Sequence, residues 1–133
     1  MAKRIISAII LVLMLALSLT SCASLDSYKK NLGDEYEIEM LTSKEIDELL
    51  HNLSVEADDY IIVDIMLATN DLGQLAYFIE CESSDEAKKL TRDTEDAVEE
   101  GKNKYDCGEF KAELDGKFVL IGDAAIIDKA MGK

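Results

Sequence analysis

The 133-residue chain carries 28 acidic and 14 basic side chains, a formal net charge of −14. That suits one small domain and argues against the basic-patch chemistry by which proteins hold nucleic acid. A bare anionic membrane surface should repel such a body too, so cations and basic peptides are the charge-compatible partners. With no Pro and no Trp, a Pro-rich linker and a Trp-lined sugar platform are both excluded.

Lys3 and Arg4 precede an apolar run from Ile5 to Leu19, broken only by Ser7 and Ser18. Such a run is long enough for the apolar core of a secretory signal and short for a membrane-spanning helix. Leu19-Thr20-Ser21-Cys22 follows, then Ala23. An apolar residue, two small ones and a Cys in that order, behind a basic head and an apolar core, resembles the lipobox of bacterial lipoproteins. The resemblance implies that residues 1–21 are a signal peptide, expected as a signal helix, that cleavage falls between Ser21 and Cys22, and that Cys22 is the lipid-attachment site. The thiol would take a diacylglyceryl group and the freed amino group a further acyl chain such as palmitate. Two or more chains give stable anchoring where one is marginal. An ordinary secretory signal with Cys22 incidental, or an uncleaved anchor, are the alternatives. Lys3 and Arg4 are the only charged residues before Cys22, so their removal takes the net charge from −14 to −16.

Residues 22–35 read as the lipidated Cys and a polar tether. Fully extended, the thirteen residues from Ala23 to Glu35 would reach about 43 Å. A short helix through Leu25, Tyr28 and Leu32 is the alternative. Residues 36–133 read as a single small α+β domain. Tyr36 to Met40 alternates apolar and acidic residues, the mark of a half-buried strand. Thr42-Ser43-Lys44-Glu45 is a capping box ahead of Ile46, Leu49, Leu50 and Leu53 at helical spacing. Tyr60 to Thr69 is rich in β-branched residues and reads as a strand. The turn residues Asn70-Asp71-Leu72-Gly73 lead to a returning strand, Gln74 to Cys81. Ser83 to Glu86 is a second capping box, opening a helix that Gly101 should stop. Ala87, Leu90, Thr94, Ala97 and Val98 form its inward face. On its outer face Asp85–Lys89, Lys89–Asp93 and Arg92–Asp96 are complementary at i,i+4. Tyr105 to Glu113 and Lys117 to Ile121 are the last strands, joined by Asp115-Gly116, a strong hairpin signal. Asp123 is placed to cap a final short helix. The order predicts a ferredoxin-like β-α-β-β-α-β sheet with an extra C-terminal hairpin strand and a short helix.

Tyr77 to Leu90, with Gly122-Asp123-Ala124-Ala125, is similar to small lipoproteins of anaerobic Gram-positive bacteria. Shared are a strand ending Phe-Ile-Glu, a Ser-capped helix and a strand ending Ile-Gly-Asp. These are structural punctuation, and the similarity implies no activity.

No catalytic residue, cofactor-binding residue or metal ligand is assigned. His51 is the sole histidine, read as an exposed or boundary residue near a helix C-terminus, where the helix dipole favours positive charge. Zinc needs more His or Cys at ligand spacing. The acidic runs Asp34-Glu35, Asp58-Asp59 and Asp93 to Glu100 lack the loop spacing calcium requires and read as solvated surface. Cys81 and Cys107 are a potential disulfide if their Cα atoms lie within about 7 Å; two free thiols are the alternative. Ile62, Met66 and Phe78 give the second sheet face more apolar area than an open antiparallel face carries. The C-terminal helix, a dimer or partner surface, or a ligand cleft would account for them. The expected protein is thus a membrane-anchored extracytoplasmic lipoprotein, a binding or interaction module rather than an enzyme. A divalent-cation or cationic-peptide binder is the second expectation.

Overall fold

The structure is a computed structural model that describes residues 24–105 and 109–133. The expected signal helix, Cys22 and Cys107 lie outside the described residues. The fold is α+β. Helix α1 (Leu25–Leu32) leads through a short 3-10 turn to strand β1 (Glu37–Met40) and helix α2 (Ser43–Asn52). A second 3-10 turn, Ala57–Asp59, precedes β2 (Ile62–Thr69) and β3 (Leu75–Cys81). Helix α3 (Ser84–Tyr105), strands β4 (Phe110–Asp115) and β5 (Phe118–Asp123), and helix α4 (Ala124–Ala130) complete the order. No described helix is long and apolar enough to cross a membrane.

The five strands form one antiparallel sheet in the order β1-β2-β3-β5-β4. This corrects the ferredoxin-like expectation. There β1 would lie inside the sheet, separated from β2; here β2 is its direct antiparallel neighbour. The reason is in β1 itself: four residues with Glu37 and Glu39 exposed suit an edge, where charge discourages further pairing. In the other half α3 joins β3 to β4, which run parallel with β5 between them, a split crossover.

Helices cover both faces. On one, α1 and α4 bury Met66, Ala68, Ala76, Phe78, Phe118 and Leu120. On the other, α2 and α3 bury Ile65, Ile79, Cys81, Val119 and Ile121. Strands covered on both faces are apolar on both, which accounts for the near-continuous apolar runs in β2, β3 and β5.

The segment read as a tether is therefore part of the domain. Ser24 and Ser27 cap α1 reciprocally, at 3.1 and 3.0 Å, and Leu25, Tyr28 and Leu32 fall on one face. Tyr28 and Leu32 are buried. The Tyr28 ring packs at 5.1 Å from Phe78 and edge-on at 5.4 Å to Phe118, and its hydroxyl donates to Asp115 at 2.7 Å. Asn31 donates to the Ala130 carbonyl, joining α1 to α4.

Two further local expectations change. Helix α3 runs through Gly101 to Tyr105; with no Pro or β-branched run behind it, one interior glycine costs only about 1 kcal/mol. Strand β4 starts later in consequence. Asp123 stands at the N-cap of α4, but its carboxylate accepts from the Leu75 N–H at 2.8 Å. The β3–β5 ladder ends at Ala76–Gly122, and Asp123 satisfies the next strand N–H, which would otherwise be orphaned. At Gly122, φ is +149°, and a Cβ there would overlap the Ala76 backbone.

Candidate functional site

The three residues read as one apolar face awaiting a cover, by the C-terminal helix, a partner or a ligand, do not share a face. Met66 and Phe78 are fully buried under α1 and α4, so the second face is covered within the chain. Ile62 is half-buried and packs with the α2–α3 core. A register shift between Ile62 and Asp64 inserts an extra residue, which reverses the inside–outside alternation. Ile62 and Ile65 consequently point to the same side, while Ile61 and Val63 are left 56 and 57% exposed.

Cys81 is a buried thiol at the end of β3. Burial first, then the nearby Glu86 and Glu80 carboxylates, push its pKa up to about 12. A thiol held protonated at neutral pH is a poor nucleophile. Cys107, its candidate partner for a bridge, is outside the described residues. His51 is exposed in the last turn of α2. Among the described residues no three His, Cys, Asp or Glu side chains converge as metal ligands.

The acidic runs are dispersed by the fold. Glu35 pairs with Lys129 at 3.1 Å. The Asp59 carbonyl accepts from Lys89, whose ammonium also lies 4.9 Å from the centre of the Tyr60 ring. Tyr60, buried where the 3-10 turn meets β2, donates its hydroxyl to Asp93 on α3. Burial and the Asp93 carboxylate raise the Tyr60 pKa, and the same bond holds Asp93 below the usual carboxylate range. The pair staples α3 to the start of β2 and locks the hydroxyl as a donor.

Two concavities lie among the described residues. A cleft of about 300 Å³ lies between α2 and α3 over the ends of β3 and β5, lined mainly by Leu49, Leu53, Leu75, Tyr77, Val98 and Phe110. Its polar walls are Asn52 and Asp123, the latter committed to Leu75. Small apolar groups fit there, but recognition sites usually add several convergent polar groups. A shallower groove of about 400 Å³ separates α3 from the edge strand β4, with Lys88, Arg92, Glu95 and Glu99 on its helical side. Sequence reasoning missed both, because each is made by residues distant along the chain.

No family model, curated protein or solved structure matches the chain.

Proposed function

We propose that this chain is a bacterial lipoprotein, held by acyl chains on Cys22 at the extracytoplasmic face of the cell membrane. Its domain serves there as a non-catalytic binding or interaction module. The carrying observation is the order of the sequence. A basic pair, an apolar run and Leu19-Thr20-Ser21-Cys22 stand directly before a domain whose first helix is capped by Ser24. Lipid on Cys22 would place the domain in the aqueous phase, where its net negative charge favours solubility. The reading without catalysis draws on the chemistry of the nucleophile and base candidates: Cys81 is held as a buried thiol, and His51 is exposed on α2.

The test is Cys22→Ala in the full chain, followed by detergent-phase partitioning and intact-mass analysis. The parent should enter the detergent phase with a mass increased by acyl chains, and the variant should do neither. Partitioning that survives the substitution would exclude the lipid anchor. The acidic surface favours one second reading, a binder of cationic peptides, which calorimetric titration with an oligolysine peptide separates from weak non-specific attraction by the presence of saturation.

A further inference from the structure

We infer that, in the anchored protein, the end of the sheet bearing Ile61 and Val63 rests against the bilayer interface. The inference builds on the lipoprotein reading above. The sheet has two ends. The β2–β3 turn and the starts of β1 and β4 lie at one. At the other lie the tip of β1, the start of β2 and the β4–β5 turn. Helix α1 leads into the start of β1 and so begins toward the second end; Tyr28, midway along it, already reaches Asp115 beside the β4–β5 turn. The chain therefore enters the domain at the end where Ile61 and Val63 are exposed.

Chain length removes any stand-off. Only Ala23 and Ser24 separate Cys22 from Leu25, the first residue of α1. Three residue steps reach about 10 Å at full extension, and a headgroup layer alone takes up about 5–7 Å of that. The domain end nearest Ser24 must then meet the headgroups.

Four of the five exposed large apolar side chains among the described residues, Met40, Ile61, Val63 and Leu114, lie at that end, beside the exposed carboxylates Glu39, Asp59 and Glu82. Among the described residues, Ile61 and Val63 are the exposed large aliphatic side chains at the start of β2. Met40 and Leu114, 37 and 38% exposed, lie at or next to the tips of the two edge strands that point the same way. Leu72, 82% exposed, is at the opposite end in the β2–β3 turn. Exposed aliphatic groups are unfavourable in water and favourable at the headgroup–acyl boundary. With a net charge of about −16 on the mature chain, a zwitterionic surface is the compatible lipid.

The absence of Trp makes the test direct. Ile61→Trp and, separately, Leu72→Trp are made in the full chain, both at exposed positions. Each protein is purified with its lipid, its acylated mass is confirmed, and it is reconstituted in phosphatidylcholine vesicles containing brominated acyl chains. Fluorescence from position 61 should fall to about half or less, because a side chain at the headgroup–acyl boundary lies within reach of the quencher. Fluorescence from position 72 should be unchanged. Equal signals from the two positions in an acylated protein would overturn the orientation. An unacylated mass would overturn the anchor itself, so the two failures are distinguishable.

Discussion

Replacing Tyr28 asks whether residues 24–32 are a tether or a wall of the core. The side chain is 2% exposed, lies against Phe78 and Phe118, and donates to Asp115 at 2.7 Å. Truncating a buried aromatic to alanine costs about 3–5 kcal/mol. Removing only the hydroxyl costs about 1 kcal/mol, the net worth of an ordinary hydrogen bond. In a domain of this size each kcal/mol moves the thermal midpoint by about 4 °C. Tyr28→Ala should therefore lower it by at least about 12 °C, and Tyr28→Phe by about 4 °C. The assay is thermal and urea unfolding followed by far-ultraviolet circular dichroism on the chain from Ala23 onward. A stability for Tyr28→Ala within about 0.5 kcal/mol of the parent, the range of ordinary surface substitutions, would refute the packing argument and restore the tether.

Other consequences are as direct. Gly122→Ala must push a methyl group into the backbone of Ala76, so it should lose about 3 kcal/mol or more; a neutral result in urea unfolding would show that the β3–β5 pairing is looser than described. Lys111 lies 2.7 Å from Asp128 and 2.9 Å from Glu113. These bonds hold both carboxyls below their ordinary values of 3.8 and 4.5 and raise the lysine above 10.5. The lowered carboxyls stabilise the fold above their ordinary values and lose the effect as pH falls through the lowered ones; the raised lysine stabilises below 10.5 and loses its effect as pH rises through its raised value. The urea midpoints of the parent and Lys111→Met should thus differ most between about pH 5 and 10 and draw together as pH falls below the ordinary carboxyl values, and a constant difference would contradict the linkage. Cys81, with its thiol pushed up to about 12, should resist alkylation at pH 8 until the chain is unfolded, as peptide mass mapping can show; rapid labelling of the native protein would place it at the surface.

Local chemistry closed within a few residues was mostly legible, the Gly101 stop and the Asp123 cap being the exceptions. Thr42 and Glu45 exchange both bonds of the predicted capping box, at 3.3 and 3.0 Å. Asn70 organises the predicted turn by accepting from the Leu72 and Gln74 N–H groups, and Gly116 turns between β4 and β5 with φ of +62°. The inward face of α3 is buried at Ala87, Leu90, Thr94 and Val98 as its spacing requires. Long-range choices were not legible. That β5 inserts between β3 and β4 depends on residues about 40 positions apart, such as Phe78 opposite Leu120. Lys89 illustrates the same limit on a helix surface. Spacing offered it Asp85 or Asp93, but its ammonium goes to the Asp59 carbonyl and the Tyr60 ring, which only the tertiary fold brings near. The bulge after Ile62 reverses the apparent period of β2, so the exposed pair Ile61 and Val63 could not be told from the buried set.

Helices α1 and α4, the earliest and latest described, seal the same half of the core side by side. During synthesis, Met66, Phe78, Phe118 and Leu120 stay open on that half until Ala124–Ala130 has been made. Closure of that half therefore waits for segments 99 positions apart to meet, as Asn31 and Ala130 do.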